Sequence, residues 1–145
     1  MRTNILKYTT IIALLITALS NAQYRVDKRL QPYVNEYFKL LDDNNIAYNT
    51  PTVLITVSQP LKGTDYLGVA LGMNNDNLVY VRISPRFFEL DRNSRLWVMF
   101  HELSHDIFNL RHGSIRLMHK KAYDEVTFIQ LNRAKAELVK HLNSL

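Results

Sequence analysis

The chain has 145 residues, 47% apolar and 21% charged, with a formal net charge of +5 and no cysteine. That length suits one globular domain with a modest core. The missing cysteines exclude disulfides, thiolate metal ligands and a lipid-modified cysteine anchor, and no run of Lys and Arg interleaved with aromatics marks a nucleic-acid surface.

Arg2 and Lys7 precede an uncharged stretch, 8–19, that contains Ile11-Ile12-Ala13-Leu14-Leu15-Ile16. Ser20-Asn21-Ala22 follows, with small residues where a signal peptidase needs them. The layout predicts a signal peptide over 1–22, cleaved after Ala22, and a single domain over 23–145. The stretch is short for a membrane span, which needs about 20 apolar residues. The expectation is a secreted or periplasmic protein with no stable membrane anchor after processing. Loss of Arg2 and Lys7 leaves a small positive excess, and the pair Lys120-Lys121 reads as solvated surface.

Residues 26–41 carry apolar side chains at a period near 3.6, predicting a helix that starts or kinks at Pro32. Asp42-Asp43-Asn44-Asn45 ends it. Residues 52–57, rich in β-branched side chains, read as a strand. Pro60 and Gly63 punctuate the loop that follows. Two more strands are predicted at 66–71 and 78–83, joined as an antiparallel hairpin by Gly72-Met73-Asn74-Asn75-Asp76-Asn77. Gly68 and Gly72 mark a bulge or places where only a small residue fits. Ser84-Pro85 has the form of a cap followed by a first-turn proline.

Asp91, Asn93 or Ser94 can cap the next helix, which runs to about Asn109. Its Leu96, Trp97, Met99, Phe100, Leu103, Ile107 and Phe108 make it a helix buried on most sides. A break at His112-Gly113-Ser114 follows, and 122–142 reads as a final amphipathic helix.

His101, Glu102 and His105 are polar insertions on the buried helix, in the order His-Glu-x-x-His. Residues four apart share a helix face, so both imidazoles can reach one zinc ion at roughly 2.0–2.1 Å. Glu102 is then placed to act as general base on a water activated by that ion. Burying these three groups is costly unless something satisfies them. A catalytic zinc usually has three protein ligands. Candidates for the third are His112, seven residues after His105, then Glu125 on the final helix, as in the thermolysin-like class, then His119. Asn109 can take a left-handed conformation, end the helix and swing His112 back under the metal.

The stretch from His101 to Met118 reads HELSHDIFNLRHGSIRLM. It resembles the metzincin zinc peptidases, which carry His-Glu-x-x-His-x-x-Gly-x-x-His and then a Met-containing turn. It is most similar to a group of small secreted bacterial metallopeptidases with one more residue before the third His. The resemblance implies His101, His105 and His112 as zinc ligands, Glu102 as general base and Met118 as the Met-turn methionine. Phe108 stands where the usual motif has Gly, which moves the turn to Asn109. Lys120 stands where some metzincins have a metal-binding Tyr, and Tyr123 is the nearest alternative.

The implied fold is α+β: a small metzincin-like domain with an N-terminal helix, a sheet of about three mostly antiparallel strands, an active-site helix, a Met-turn and a C-terminal helix. The resemblance also implies that an extended peptide or protein substrate pairs with a free sheet edge, supplied by 66–71 or 78–83. The leading functional expectation is an exported zinc-dependent endopeptidase. Alternatives are a non-catalytic zinc-binding or interaction domain of the bacterial envelope, a thermolysin-like peptidase using Glu125, and an envelope structural protein without metal.

Overall fold

Pro32 decides where the first helix begins. Its ring suits the first helical turn and disfavours helical geometry in the residue before it. In the computed structural model, which describes residues 24–49, 52–58, 66–119 and 125–145, helix α1 spans Gln31–Asp43. It does not extend back to residue 26 as the periodicity predicts. Tyr24–Val26 instead forms strand β1, in parallel register with strand β2, Val53–Val57. The signal-peptide region, Lys120, Lys121 and Tyr123 lie outside the described residues.

Strands β3, Gly68–Ala70, and β4, Val79–Ile83, complete one sheet in the order β1-β2-β4-β3. The β3–β4 pair is antiparallel, as the turn-rich connector predicts. The expectation of a mostly antiparallel sheet is corrected, because β1–β2 and β2–β4 are both parallel. The β1–β2 pairing is reached through α1, the crossover that a parallel pair requires. A run of β-branched residues marks a strand but carries no sign of its direction.

Val53, Ile55, Val79, Val81 and Ile83 turn one sheet face into the core. The core's other side is helix α2, Arg92–Phe108, whose Leu96, Met99, Phe100 and Leu103 are fully buried. Val34, Tyr37 and Leu41 of α1 pack in the same cluster, where the Tyr37 hydroxyl meets the buried Ser104 hydroxyl at 3.1 Å. The Asp91 side chain caps α2 by accepting from the Asn93 and Ser94 amides at 2.8 and 3.1 Å. A 3₁₀ turn, Pro85–Glu89, precedes it and is capped by Ser84. Another 3₁₀ turn, Arg116–Met118, follows α2. Helix α3, Phe128–Leu142, starts later than the predicted 122, because Thr127 and Gln130 form a reciprocal capping box there. Among the described residues no helix is long and apolar enough to cross a membrane.

Asn109 ends α2 in the left-handed region, at φ 53° and ψ 29°. Its side-chain oxygen accepts from the Asn74 amide at 2.6 Å. Glycine can keep this backbone but not the side-chain bond, whereas a β-branched residue resists the backbone itself. Asn109→Val should therefore lower the unfolding free energy obtained from urea denaturation more than Asn109→Gly, by a further ~1–2 kcal/mol, and shift the midpoint accordingly. Equal midpoints would contradict the role given to this turn.

Candidate metal centre

One turn of α2 separates His101 from His105, and the turn at Asn109 returns the chain so that His112 meets both. The three Nε2 atoms form a triangle with sides of 3.0, 3.1 and 3.3 Å. Among the described residues this is the group that can hold a metal ion. His105 is buried, His101 half-buried and His112 exposed, so the group opens toward solvent on one side.

Backbone carbonyls orient two of the rings. His101 Nδ1 donates to the Leu117 carbonyl at 2.8 Å, and His105 Nδ1 donates to the Leu110 carbonyl at 2.5 Å. A carbonyl only accepts, so each Nδ1 carries the proton and each Nε2 keeps a bare lone pair. Two bare nitrogens 3.0 Å apart repel, and a cation held between them turns that repulsion into ligation. Burial holds the His101 imidazolium pKa down at about 4, against 6.5 ordinarily. Burial lowers His105 as well. These rings stay neutral at pH 7, the state in which imidazole binds metal.

The loop that supplies both carbonyls is closed on itself. The Gly113 amide donates to the Met118 carbonyl at 3.0 Å, and Gly113 adopts a φ of 83°. Met118 is fully buried in the 3₁₀ turn that follows His112.

Glu102 follows His101 on α2 and does not belong to this group. It is 8% exposed, and its carboxylate accepts from the Ala70 amide. Burial pushes its pKa up from 4.5 to about 7, the Ala70 bond opposes this, and the Asp106 charge adds to it. Gly68 makes the room, since a Cβ there would lie 2.6 Å from Glu102 Cγ. Of the two readings of Gly68 and Gly72, the small position applies; both approach carboxylates too closely for a Cβ.

Glu125 and His119 are exposed and outside the histidine group. Sequence reasoning missed Asp106, which is 5% exposed and accepts from the Gly72 and Tyr80 amides at 2.8 and 3.3 Å. The signal was available: an acid four residues after Glu102, on an otherwise apolar helix, is another group that burial must satisfy.

Comparison with known proteins gives no match: no family model fits the chain, and no curated protein or solved structure is detectably similar.

Titration with zinc should show the affinity of His112→Ala lowered by more than about 100-fold, beyond the usual cost of losing an outer-shell partner. Glu125→Ala should bind as the parent does. The reverse pattern would place the third ligand on the final segment.

A raised acid pKa means that the folded chain holds the Glu102 proton more tightly than the unfolded chain. Its stabilising contribution is full below pH 4.5 and lost as pH rises through about 7. In chelator, Glu102→Gln should melt increasingly above the parent from pH 4.5 to about 8, with the remaining titrating groups common to both proteins. A difference that does not change with pH would contradict the buried, proton-retaining carboxyl.

Proposed function

We propose that the chain is an exported, metzincin-like zinc endopeptidase. One observation carries the reading: three imidazole nitrogens converge on a single point, two of them from the helix that also carries the buried carboxyl of Glu102. A tetrahedral zinc bound at about 2.0–2.1 Å needs ligand nitrogens about 3.3–3.4 Å apart. The observed 3.0–3.3 Å lies close to that spacing. His101, His105 and His112 would hold the ion, and the Leu117 and Leu110 carbonyls would supply the outer shell typical of metal-bound histidine. Zinc so held supplies Lewis-acid activation of water and of the scissile carbonyl.

Glu102 accepts the proton that the attacking water gives up and returns it to the leaving amine. Without metal, burial holds the Glu102 pKa up at about 7, which favours return of the proton; a bound cation would draw it lower and favour uptake. Strand β3 is an edge strand, whereas β4 lies inside the sheet between β2 and β3. Leu67 and Leu71 bond to the β4 side, so alternation turns Gly68 and Ala70 outward. An extended peptide lying along that edge would pair with the outward backbone groups that α2 leaves open, the Ala70 amide being held by Glu102. The N-terminal sequence pattern supports export.

A second reading has an observation of its own. The bond from the Ala70 amide gives Glu102 a structural task, as a non-catalytic metal-binding domain would use it. The thermolysin-like alternative has less support, since Glu125 lies outside the histidine group.

Glu102→Gln separates these readings, because glutamine still accepts from Ala70. With zinc loaded, the parent should hydrolyse a fluorescent casein, and Glu102→Gln should bind zinc equally while hydrolysis falls by about 10²–10⁴. A zinc-loaded parent that cleaves nothing across an unbiased peptide library favours the binding domain. Full activity in the variant would remove Glu102 from the chemistry.

A further inference from the structure

The free edge of β3 faces α2. An edge strand normally leaves every second amide unpaired. Here α2 and its C-cap supply acceptors for alternate amides of β3 and of the connector that continues it. Glu102 accepts from the Ala70 amide, Asp106 from Gly72 at 2.8 Å, and Asn109 from Asn74 at 2.6 Å. The spacings match. One step of four residues along a helix rises about 6 Å, and two residues along a strand rise about 6.7 Å. Glu102 and Asp106 can therefore meet Ala70 and Gly72 without bending either element.

Asp106 has a place in this set that the other two lack. The same oxygen, Oδ2, also accepts from the Tyr80 amide at 3.3 Å, in β4. It therefore holds both arms of the hairpin to the helix. Gly72 permits the approach, for a Cβ there would stand 2.4 Å from Asp106 Oδ1 and 2.2 Å from the Leu78 carbonyl. Asp106 is not among the metal-holding histidines, which are oriented by Leu117 and Leu110 on the other arm of the chain.

We propose that Asp106 is a positioning residue that holds strand β3 against Glu102. It acts through the hairpin: with Gly72 and Tyr80 pinned, the Ala70 amide and the space at Gly68 stay where the Glu102 carboxylate needs them. Loss of Asp106 leaves the metal group intact and loosens the seat of the general base, together with the edge on which substrate would lie. The catalytic half of this inference rests on the peptidase reading above; the structural half does not.

The test uses amide hydrogen exchange on the full chain, read at Ala70 and Gly72, alongside zinc stoichiometry and peptide hydrolysis. In the parent both amides should be protected although they lie on a free edge. In Asp106→Ala both should exchange at least about tenfold faster, with zinc still bound at one per chain. The kcat for a fluorescent peptide should drop at least tenfold. Asp106→Asn keeps one oxygen for Gly72 and Tyr80 and should restore both protection and kcat. A parent in which Ala70 and Gly72 exchange like open amides overturns the proposal and needs no variant to fold. So does unchanged Ala70 protection in Asp106→Ala, or an Asp106→Asn as impaired as the alanine. If the parent hydrolyses nothing, the peptidase reading fails and the exchange data alone decide the positioning role.

Discussion

Four ionisable or metal-binding side chains sit on a helix that runs through the centre of the domain, and each must find a partner there. Unmet, such groups cost several kcal/mol each, of the order of the domain's whole stability. The partners come from two directions and are sorted by chemistry. On one side, after the left-handed turn at Asn109, backbone carbonyls of Leu110 and Leu117 accept from the imidazoles. On the other, amides of Ala70, Gly72 and Tyr80 donate to the carboxylates. The histidines are thereby left with bare nitrogens facing one another, and the acids are held where the sheet edge has donors to spare. The placement of the hairpin and the shape of the loop after α2 both follow from satisfying this helix.

The same sorting explains what was legible in the sequence. The histidine spacing is local to one helix, so geometry fixes it from residue numbers alone. The Asn109 turn was legible because asparagine is among the few residues that tolerate that backbone, and His112 lay at a distance that only such a turn could use. The hairpin between 66–71 and 78–83 followed from its turn-rich connector. Other features depend on tertiary partners. Strand β1 is three residues long and exists because β2 lies beside it. The parallel direction of two pairings depends on where α1 carries the chain. Asp106 stands one residue past the His-Glu-x-x-His pattern, and its amide partners lie on a hairpin that only the folded chain brings to it. Gly68 and Gly72 read in sequence as a bulge or as small positions, and the opposing carboxylates decide for the small positions.

The proposed function draws on both of these sides. Three neutral imidazoles placed to hold a metal, a buried carboxyl whose proton affinity is raised into the neutral range, and an edge strand within hydrogen-bond reach of that carboxyl are the parts that the peptidase proposal uses. The domain brings them together with one helix, one hairpin and one closed loop. Its small size is workable because the site's supports are backbone groups, which need no additional layer of side chains to hold them.

The central claim, that His101, His105 and His112 share one zinc ion, is tested most directly by X-ray absorption at the zinc edge on the full, zinc-loaded chain. The account predicts one zinc per chain with three imidazole nitrogens and one further light atom, at about 2.0–2.1 Å. Fewer than three imidazoles, or a spectrum that His112→Ala leaves unchanged, would contradict it.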